Sequence, residues 1–225
     1  MKTIAIALMA LCSLGATAQQ RLLGGDLSML PMYEAAGTVY RDAKGKPVDA
    51  LNLFRKEGWN AVRLRLFVDP DKAPAENKDE GVCQDLNYVM GFGKRIKDEG
   101  FRLMLDFHYT DTGADPGKQF IPSAWKGASA EGLADSVYQY TRRSLEAMKR
   151  AGAEPDLIQV GNEISFGMLW PMAKTLPTED ANWPAFLTML KQGCRACREI
   201  CPKAQIIIHT EQAGNWSNTK AFYDR

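Results

Sequence analysis

Residues 157–164 have the sequence LIQVGNEI, which is the stretch that best indicates the fold. The stretch begins as an apolar strand at residues 157–160 and then stops at Gly161, Asn162 and Glu163. A buried charge is costly unless it is paired or put to use. A strand that ends on an amide beside a carboxylate therefore indicates a functional residue at the edge of a sheet. The alternative is a surface loop that begins with polar residues.

Helices and strands alternate along the rest of the chain. The predicted helices span residues 48–57, 84–99, 131–151 and 183–202. The predicted strands span residues 22–28, 60–67, 101–109, 157–160 and 205–211. A glycine stands at the end of each of the first three helices, where its left-handed conformation is favoured, and Pro202 ends the fourth. Nearly continuous apolar strands that alternate with helices indicate a parallel sheet buried on both faces.

Polar side chains gather where these strands end. They are Asp26, Arg63, Arg65, Asp106, His108, Asn162, Glu163, His209 and Glu211. In a (β/α)8 barrel this edge carries the chemistry. A doubly wound open sheet also places ligands there, but its first turn normally holds a glycine-rich phosphate loop, which GGDLS at residues 24–28 is not. We predict an α/β fold, a (β/α)8 TIM barrel of which this chain holds about the first five βα units, since such barrels run to about 250 residues or more.

The first residues have the three parts of a secretory signal peptide. Lys2 precedes an apolar run at residues 4–14, and ATA at residues 16–18 forms the cleavage site. We predict a signal peptide at residues 1–18, the N-terminal part of a single catalytic domain at 19–225, and a secreted or periplasmic protein without a membrane anchor. Loss of Lys2 leaves 27 basic and 27 acidic residues. This balance gives no sign of a nucleic-acid partner, and we expect a monomer.

Three cysteines near the C-terminus follow the pattern C-x2-C-x3-C. Cys194, Cys197 and Cys201 fall on one face of the fourth predicted helix, where small buried side chains would pack the helix against the sheet. A zinc site is the alternative, but it needs a fourth ligand such as Cys83 or His209. A disulfide is also open in an exported protein. We expect neither a metal nor another cofactor.

Four motifs, in order and with matched spacing, resemble the endo-β-1,4-galactanases of glycoside hydrolase family 53. They are NAVRLRLFVDP at residues 60–70, MLDFHYTDTGADPGKQ at 104–119, PDLIQVGNEISFGMLWP at 155–171 and IIIHTEQ at 206–212. The resemblance covers the chain from about Leu23 to its end. It implies a (β/α)8 barrel that hydrolyses β-1,4-galactan, the galactose side chain of pectin found in type I arabinogalactan, with retention of configuration.

The same resemblance assigns roles at the end of the fourth strand. Glu163 corresponds to the general acid/base, and Asn162 would bind the sugar 2-hydroxyl. Retaining glycosidases use two carboxyl groups about 5 Å apart. The family nucleophile is a glutamate on the seventh strand of the complete eight-stranded barrel, and no position of this chain corresponds to it. If the protein ends at residue 225, we expect a galactan-binding or inactive fragment instead of a hydrolase.

The remaining candidates are expected to bind substrate. Arg63 and Arg65 share one face of their strand, where they could orient carboxylates or form a structural ion pair. Asp106 and His108 share a face by the same spacing. By resemblance, Asp106, His108 and Asp111 line the subsites around the scissile bond. We interpret His209 and Glu211 as sugar contacts, where the family more often has aspartate in place of Glu211, and Trp170 as a further substrate-binding candidate.

Three tryptophans and one glycine are expected to influence which substrate the protein prefers. Trp125, Trp170 and Trp216 lie in or near loops that follow strands, where each could stack on a galactose ring or pack in the core. The family usually has tryptophan in the motif DTWADP, whereas this chain has Gly113. The missing ring implies one weaker or altered subsite, with a shift in preferred chain length or toward another β-linked polymer.

Overall fold

The computed structural model describes residues 21–175 and 181–225. A five-stranded parallel sheet in the order β1-β2-β3-β4-β7 forms its centre. The strands of this sheet are β1 (Gly24–Asp26), β2 (Ala61–Leu66), β3 (Arg102–Phe107), β4 (Leu157–Val160) and β7 (Gln205–Ile207). A separate two-stranded hairpin, β5 (Gly167–Met168) and β6 (Ala173–Lys174), follows β4. The sequential strand order and helical connections are those of a partial (β/α) barrel.

Helices connect the strands and cover the outer face of the sheet. The α-helices are α1 (Leu30–Ala35), α2 (Ala50–Lys56), α3 (Ala75–Asp79), α4 (Leu86–Asp98), α5 (Ala130–Arg150), α6 (Trp183–Ile200) and α7 (Trp216–Tyr223). Short side chains cap several of them. Asp49, Asp85 and Ser129 each accept a hydrogen bond from the first turn of α2, α4 and α5, as N-cap residues do. None of the helices in the described ranges has the length and apolar character needed to cross a bilayer.

Strict alternation separates the two faces of the sheet. On β2, Val62, Leu64 and Leu66 are buried against the helices, whereas Arg63 and Arg65 point to the opposite face. The same register continues across the sheet, because Arg65 pairs with Asp106 and Asp106 pairs with Gln159. Polar side chains of three neighbouring strands therefore meet on the inner face of the partial barrel.

The predicted helices and central strands are confirmed to within a few residues, but both outer strands are shorter than predicted. The prediction of a fifth strand at residues 205–211 was too long, since the strand ends at Ile207. Its partner β4 pairs with it only as far as Gln159 and turns away at Gly161, so the regular strand pairing stops there, and beyond it the N–H of Ile164 donates to the carbonyl of His209. The first strand likewise covers only Gly24–Asp26, the part that pairs with β2.

The cysteines lie where the helical pattern places them. Cys197 and Cys201 are buried, Cys194 is half-buried, and the thiols of these residues and of Cys83 are free. Burial raises the pKa of the Cys201 thiol to about 11, with a smaller contribution from the Glu154 carboxylate. Within the described ranges no three His, Cys, Asp or Glu side chains come together in a metal-binding cluster. The cysteine face of α6 therefore packs as apolar surface.

Helix α6 approaches the sheet at a position that only glycine fits. A Cβ atom on Gly193 would lie 2.7 Å from Cγ1 of Val160 and 3.0 Å from the hydroxyl of Tyr109. The absence of a Cβ atom at Gly193 lets α6 pack closely against β4, the strand that leads to Asn162 and Glu163. Packing at Gly193 thus links the helix layer to the functional edge.

Replacing this glycine should destabilise the fold in spite of helix propensity. We expect Gly193→Ala to lower the free energy of unfolding by about 1–3 kcal/mol, because the new methyl group overpacks a filled interface. The matched control is Gly91→Ala in α4, where a Cβ meets nothing within 4 Å. There the gain in helix propensity, up to about 1 kcal/mol, should be realised. Denaturant unfolding measures both, and equal effects would contradict the close packing.

Candidate active site

A cleft of about 580 Å³ opens at the carboxyl ends of the sheet strands. Six of the predicted catalytic and substrate-binding residues line it. They are Arg63, Arg65, His108, Asn162, Glu163 and His209. Asp26 and Gln159 line the same cleft. Asp106 belongs to the same constellation through its contacts with Arg63 and Gln159.

The deepest charge of the site is the carboxylate of Asp106, whose side chain is 0% exposed. One oxygen pairs with the guanidinium of Arg63, and the other accepts a hydrogen bond of 2.6 Å from Nε2 of Gln159. Arg63 also donates to Asp26 at 2.5 Å and to Oδ1 of Asn162 at 2.9 Å. A buried carboxylate persists only with such pairing. Arg63 is therefore a link between β1, β3 and the end of β4.

The side chain of Asn162 is held from both ends. Its Oδ1 lies 2.9 Å from the Arg63 guanidinium, 3.0 Å from Nε2 of Gln159 and 3.0 Å from Nδ1 of His209. Its Nδ2 donates to the carbonyl of Ala114 at 2.8 Å. A primary amide carries two N–H groups. Within the part of the chain that the structure describes, the second N–H of this fixed amide has no partner, and it is available to a ligand in the cleft.

Glu163 combines a fixed backbone with a free carboxylate. Its φ and ψ of 51° and 48° lie in the left-handed region, which costs a non-glycine residue about 1–3 kcal/mol and occurs mainly at functional sites. The backbone N–H lies 3.3 Å from Nδ1 of His209, and Gln119 donates to the carbonyl at 3.3 Å. In the described ranges the Glu163 carboxylate makes no hydrogen bond or ion pair. It remains open to a substrate.

His108 has a defined tautomer when its ring is neutral. The backbone N–H of Ala114 donates to Nδ1 at 2.8 Å, so the proton of a neutral ring sits on Nε2. Nε2 lies 2.7 Å from Oδ2 of Asp106, yet within the described part of the chain it has no aligned hydrogen-bond partner. This contact is electrostatic, because the distance between Nε2 and Oδ2 is short but the hydrogen-bond angle is poor. The Nε2 edge of the His108 ring therefore faces the buried carboxylate of Asp106, and the side chain also lines the cleft.

Arg65 and Ser28 hold the carboxylate of Asp26. Burial raises the pKa of Asp26, but the Arg65 charge, hydrogen bonds from Ser28 and the Arg63 charge outweigh it, so the net pKa is below the ordinary value. Nε of Arg65 lies 3.3 Å from Oδ2 of Asp26, and the backbone N–H of Ser28 donates to Oδ1 at 3.0 Å. Both arginines therefore form ion pairs with carboxylates, an arrangement that fits both sequence alternatives, orientation of a carboxylate and a structural ion pair.

Besides Asp106, three predicted substrate residues lie outside the cleft lining. Asp111 and Trp170 line a neighbouring groove. Glu211 lies beyond the end of β7 and accepts a hydrogen bond of 2.7 Å from the hydroxyl of Ser165. Trp125 packs edge-on against Tyr140, with the two ring centroids 5.8 Å apart. Trp216 is exposed at the start of α7.

Sequence reasoning missed Gln159, Gln119 and Ser28. Gln159 is almost fully buried and its amide nitrogen lies within 3.0 Å of both Asp106 and Asn162. One signal was present, because Gln159 is the single polar side chain in an otherwise apolar strand. Gln119 and Ser28 sit in loops, where polar residues are common and carry no such signal.

A parallel sheet of βα units in sequential order, with polar residues at its carboxyl edge, is the architecture of a (β/α)-barrel protein. The sequence model of glycosyl hydrolase family 53 matches residues 22–225, and the chain belongs to this family.

Three relatives illustrate the extent of the match. A protein of Niallia circulans is 37% identical over 91% of this chain and 54% of its own length. An arabinogalactan endo-beta-1,4-galactanase of Cellvibrio japonicus is 36% identical over 86% and 50%. The solved GH53 catalytic domain of Ignisphaera aggregans superposes with a TM-score of 0.81 at 35% identity, over 90% of this chain and 54% of that one. The chain thus spans about half the length of the relatives it matches.

Removing Arg63 should leave the buried carboxylate of Asp106 unpaired. We expect Arg63→Met to lower the free energy of unfolding by about 3–5 kcal/mol, the usual cost of breaking a buried pair. Lys94→Met is the control, since the Lys94–Asp98 pair is exposed at 53% and 58% and should contribute less than about 1 kcal/mol. Denaturant unfolding compares the two variants. A similar small loss for both would show that Asp106 does not depend on Arg63.

The lowered pKa of Asp26 should appear in the acid stability of the fold. Its ionised form is favoured in the folded state, so its contribution is present above the unfolded pKa of about 3.8 and is lost as the pH falls through the lower folded pKa. We expect Asp26→Asn to cost on the order of 1–3 kcal/mol near neutral pH. This deficit should shrink below about pH 3.8.

Unfolding midpoints measured across this pH range test the expectation. Asp135→Asn is the control, because Asp135 is an exposed carboxylate on α5 whose replacement should leave the acid limb unchanged. A deficit for Asp26→Asn that stays constant with pH would contradict the assignment.

Proposed function

We propose that the protein is a retaining endo-β-1,4-galactanase in which Glu163 is the general acid/base. The observation that carries the proposal is the free Glu163 carboxylate beside a fixed Asn162 amide, at the edge where barrel enzymes place their chemistry. Membership of family 53 supports hydrolysis of a glycosidic bond, and the name of the Cellvibrio japonicus relative supports arabinogalactan as its substrate.

The first chemical step would break the bond between the anomeric carbon and the glycosidic oxygen. Glu163 donates its proton to that oxygen, which takes the bonding electron pair and leaves with the rest of the polymer. A carboxylate nucleophile attacks the anomeric carbon from the opposite face and forms a glycosyl ester. By resemblance this nucleophile is a glutamate on the seventh barrel strand, which has no counterpart among residues 1–225, since β7 is the fifth strand of the barrel sheet.

The second step would reverse the role of Glu163. As a carboxylate it accepts a proton from water, whose oxygen attacks the anomeric carbon and releases the nucleophile with its electron pair. The free N–H of Asn162 would bind the 2-hydroxyl, a contact that strengthens in the transition state. Arg63 and Gln159 would act through Asn162, because both donate hydrogen bonds to its oxygen, and Asp106 would hold these two donors in place.

Export of the protein suits this substrate. We propose that residues 1–18 direct it to the periplasm or the medium, where polysaccharide is available; these residues lie outside the described ranges.

Gly113 concerns preference within the substrate class. A Cβ at Gly113 would meet nothing within 4 Å, so the cleft wall is open where the family pattern has an indole ring. An open wall favours longer or differently substituted chains.

Glu163→Gln in the protein expressed from its complete gene should lose hydrolysis of β-1,4-galactan by about 10²–10⁴-fold in kcat. The variant should lose far less with an aryl β-galactobioside whose phenolate leaves without a proton. This difference separates an acid from a residue with a purely structural role. Reducing-end release and phenolate absorbance measure the two rates.

The control for this experiment is Glu146→Gln. Glu146 lies on α5 and pairs with Arg142 at 2.8 Å, away from the strand edge, so both rates should stay at the wild-type level. Equal losses of Glu163→Gln on polymer and aryl substrate would exclude the acid/base role. An inactive wild-type protein that still binds galactan would favour the binding function instead.

A further inference from the structure

His209 lies just beyond the last strand of the sheet and contacts both residues of the pair at the end of β4. The pairing of β4 with β7 ends at Ile207, and His209 follows two residues later. Its Nδ1 lies 3.3 Å from the backbone nitrogen of Glu163 and 3.0 Å from Oδ1 of Asn162. Its backbone carbonyl accepts a hydrogen bond of 3.0 Å from the N–H of Ile164. His209 therefore contacts three consecutive residues of the turn that carries the candidate acid.

The Nδ1 atom of His209 cannot satisfy both of these neighbours in one neutral tautomer. Without a proton, Nδ1 accepts the N–H of Glu163 but turns a lone pair toward the side-chain oxygen of Asn162. With a proton, Nδ1 donates to Asn162, and the N–H of Glu163 then faces another donor. The position of the ring proton thus decides which residue of the pair His209 supports.

The other contacts of the pair favour the tautomer of His209 that has its proton on Nε2. Oδ1 of Asn162 already accepts from Arg63 at 2.9 Å and from Gln159 at 3.0 Å, and two donors satisfy the two lone pairs of a carbonyl oxygen. In the described ranges, by contrast, the N–H of Glu163 has Nδ1 of His209 as its only acceptor. A backbone N–H turned away from water needs an acceptor. Nδ1 therefore accepts from Glu163.

The contact at Nδ1 fixes a strained part of the backbone. The positive φ of Glu163 persists only where the surroundings hold it. Gln119 donates to the carbonyl of Asn162 at 2.8 Å and to that of Glu163 at 3.3 Å. The turn is therefore held from two sides, at its carbonyl groups by Gln119 and at its N–H groups by His209. These contacts set the direction in which the Glu163 side chain leaves the backbone.

We infer that His209 is a positioning residue for the acid/base: with its ring proton on Nε2, it accepts the N–H of Glu163 at Nδ1 and holds the backbone that directs the carboxylate. The inference rests on the proposed function, because it explains how the acid of that reaction is oriented. It differs from the interpretation of His209 as a sugar contact, which would act through Nε2 on the cleft side of the ring. Placement matters for the rate, since an error of about 1 Å costs about 10²-fold.

Two substitutions at residue 209 separate these roles, because the amide of asparagine reaches the place of Nδ1 and the amide of glutamine reaches the place of Nε2. In the protein expressed from its complete gene, we expect His209→Gln to lower kcat on β-1,4-galactan by about 10–10²-fold with little change in KM. His209→Asn should retain most of the wild-type rate. The loss of kcat/KM should be smaller with an aryl β-galactobioside, whose phenolate leaves without a proton from Glu163.

A sugar contact through Nε2 predicts the opposite order of the two variants. His209→Gln would then keep the activity, and His209→Asn would raise KM on both substrates. This order, or equal losses of kcat in both variants, would overturn the inference. The control is Gln205→Ala, because Gln205 is exposed at the start of the same strand, and its kinetic constants should equal those of the wild type.

The position of the ring proton separates failure of this inference from failure of the proposed function, because it is measured without hydrolysis. Long-range 1H–15N NMR spectra show which nitrogen of a neutral ring carries the proton, and His209→Asn identifies the signals of His209 by their loss. We expect the proton on Nε2. A proton on Nδ1 would overturn the inference even in an active enzyme. An inactive wild-type protein with the proton on Nε2 would contradict the proposed function and still support the contact between His209 and Glu163.

Discussion

The ion pair between Arg63 and the fully buried Asp106 is the contact on which the rest of the site depends. A buried carboxylate requires a partner, and the partner's remaining N–H groups must also be satisfied. Arg63 meets both needs by reaching Asp26 on the first strand and Asn162 beyond the fourth. One guanidinium therefore fixes the relative positions of three strand ends. Gln159 repeats the connection from the other side of the same carboxylate.

This network explains why two adjacent residues behave differently. Asn162 receives the hydrogen bonds and becomes immobile, whereas Glu163 is rotated out of the network by its left-handed backbone. The strain of that conformation is offset by contacts with His209 and Gln119 and by the packing of α6 on β4 through Gly193. A free carboxylate beside a rigid amide is what an acid/base requires, since it must change protonation state while the sugar stays in place.

Much of this architecture could be predicted from the sequence, because alternation and helix caps are local signals. Arg63, Arg65, Asp106 and His108 were expected on shared faces, and the structure places them so. The length of the last strand could not be predicted, since it depends on where its neighbour turns at Gly161. The role of Gln159 and the separation of Asp111 from the cleft also depend on contacts between distant segments. The roles of the site residues in catalysis remain predictions.

Azide rescue of Glu163→Ala in the complete protein, with an aryl β-galactobioside as substrate, tests the account most directly. The aryl group leaves without acid assistance, the glycosyl ester accumulates, and azide can attack the anomeric carbon from the face that Glu163 vacates. We predict faster turnover with azide and a β-galactobiosyl azide product, identified by its anomeric proton coupling in NMR. An α-azide would make Glu163 the nucleophile. A variant that azide leaves unchanged, with wild-type activity on galactan, would remove Glu163 from the chemistry.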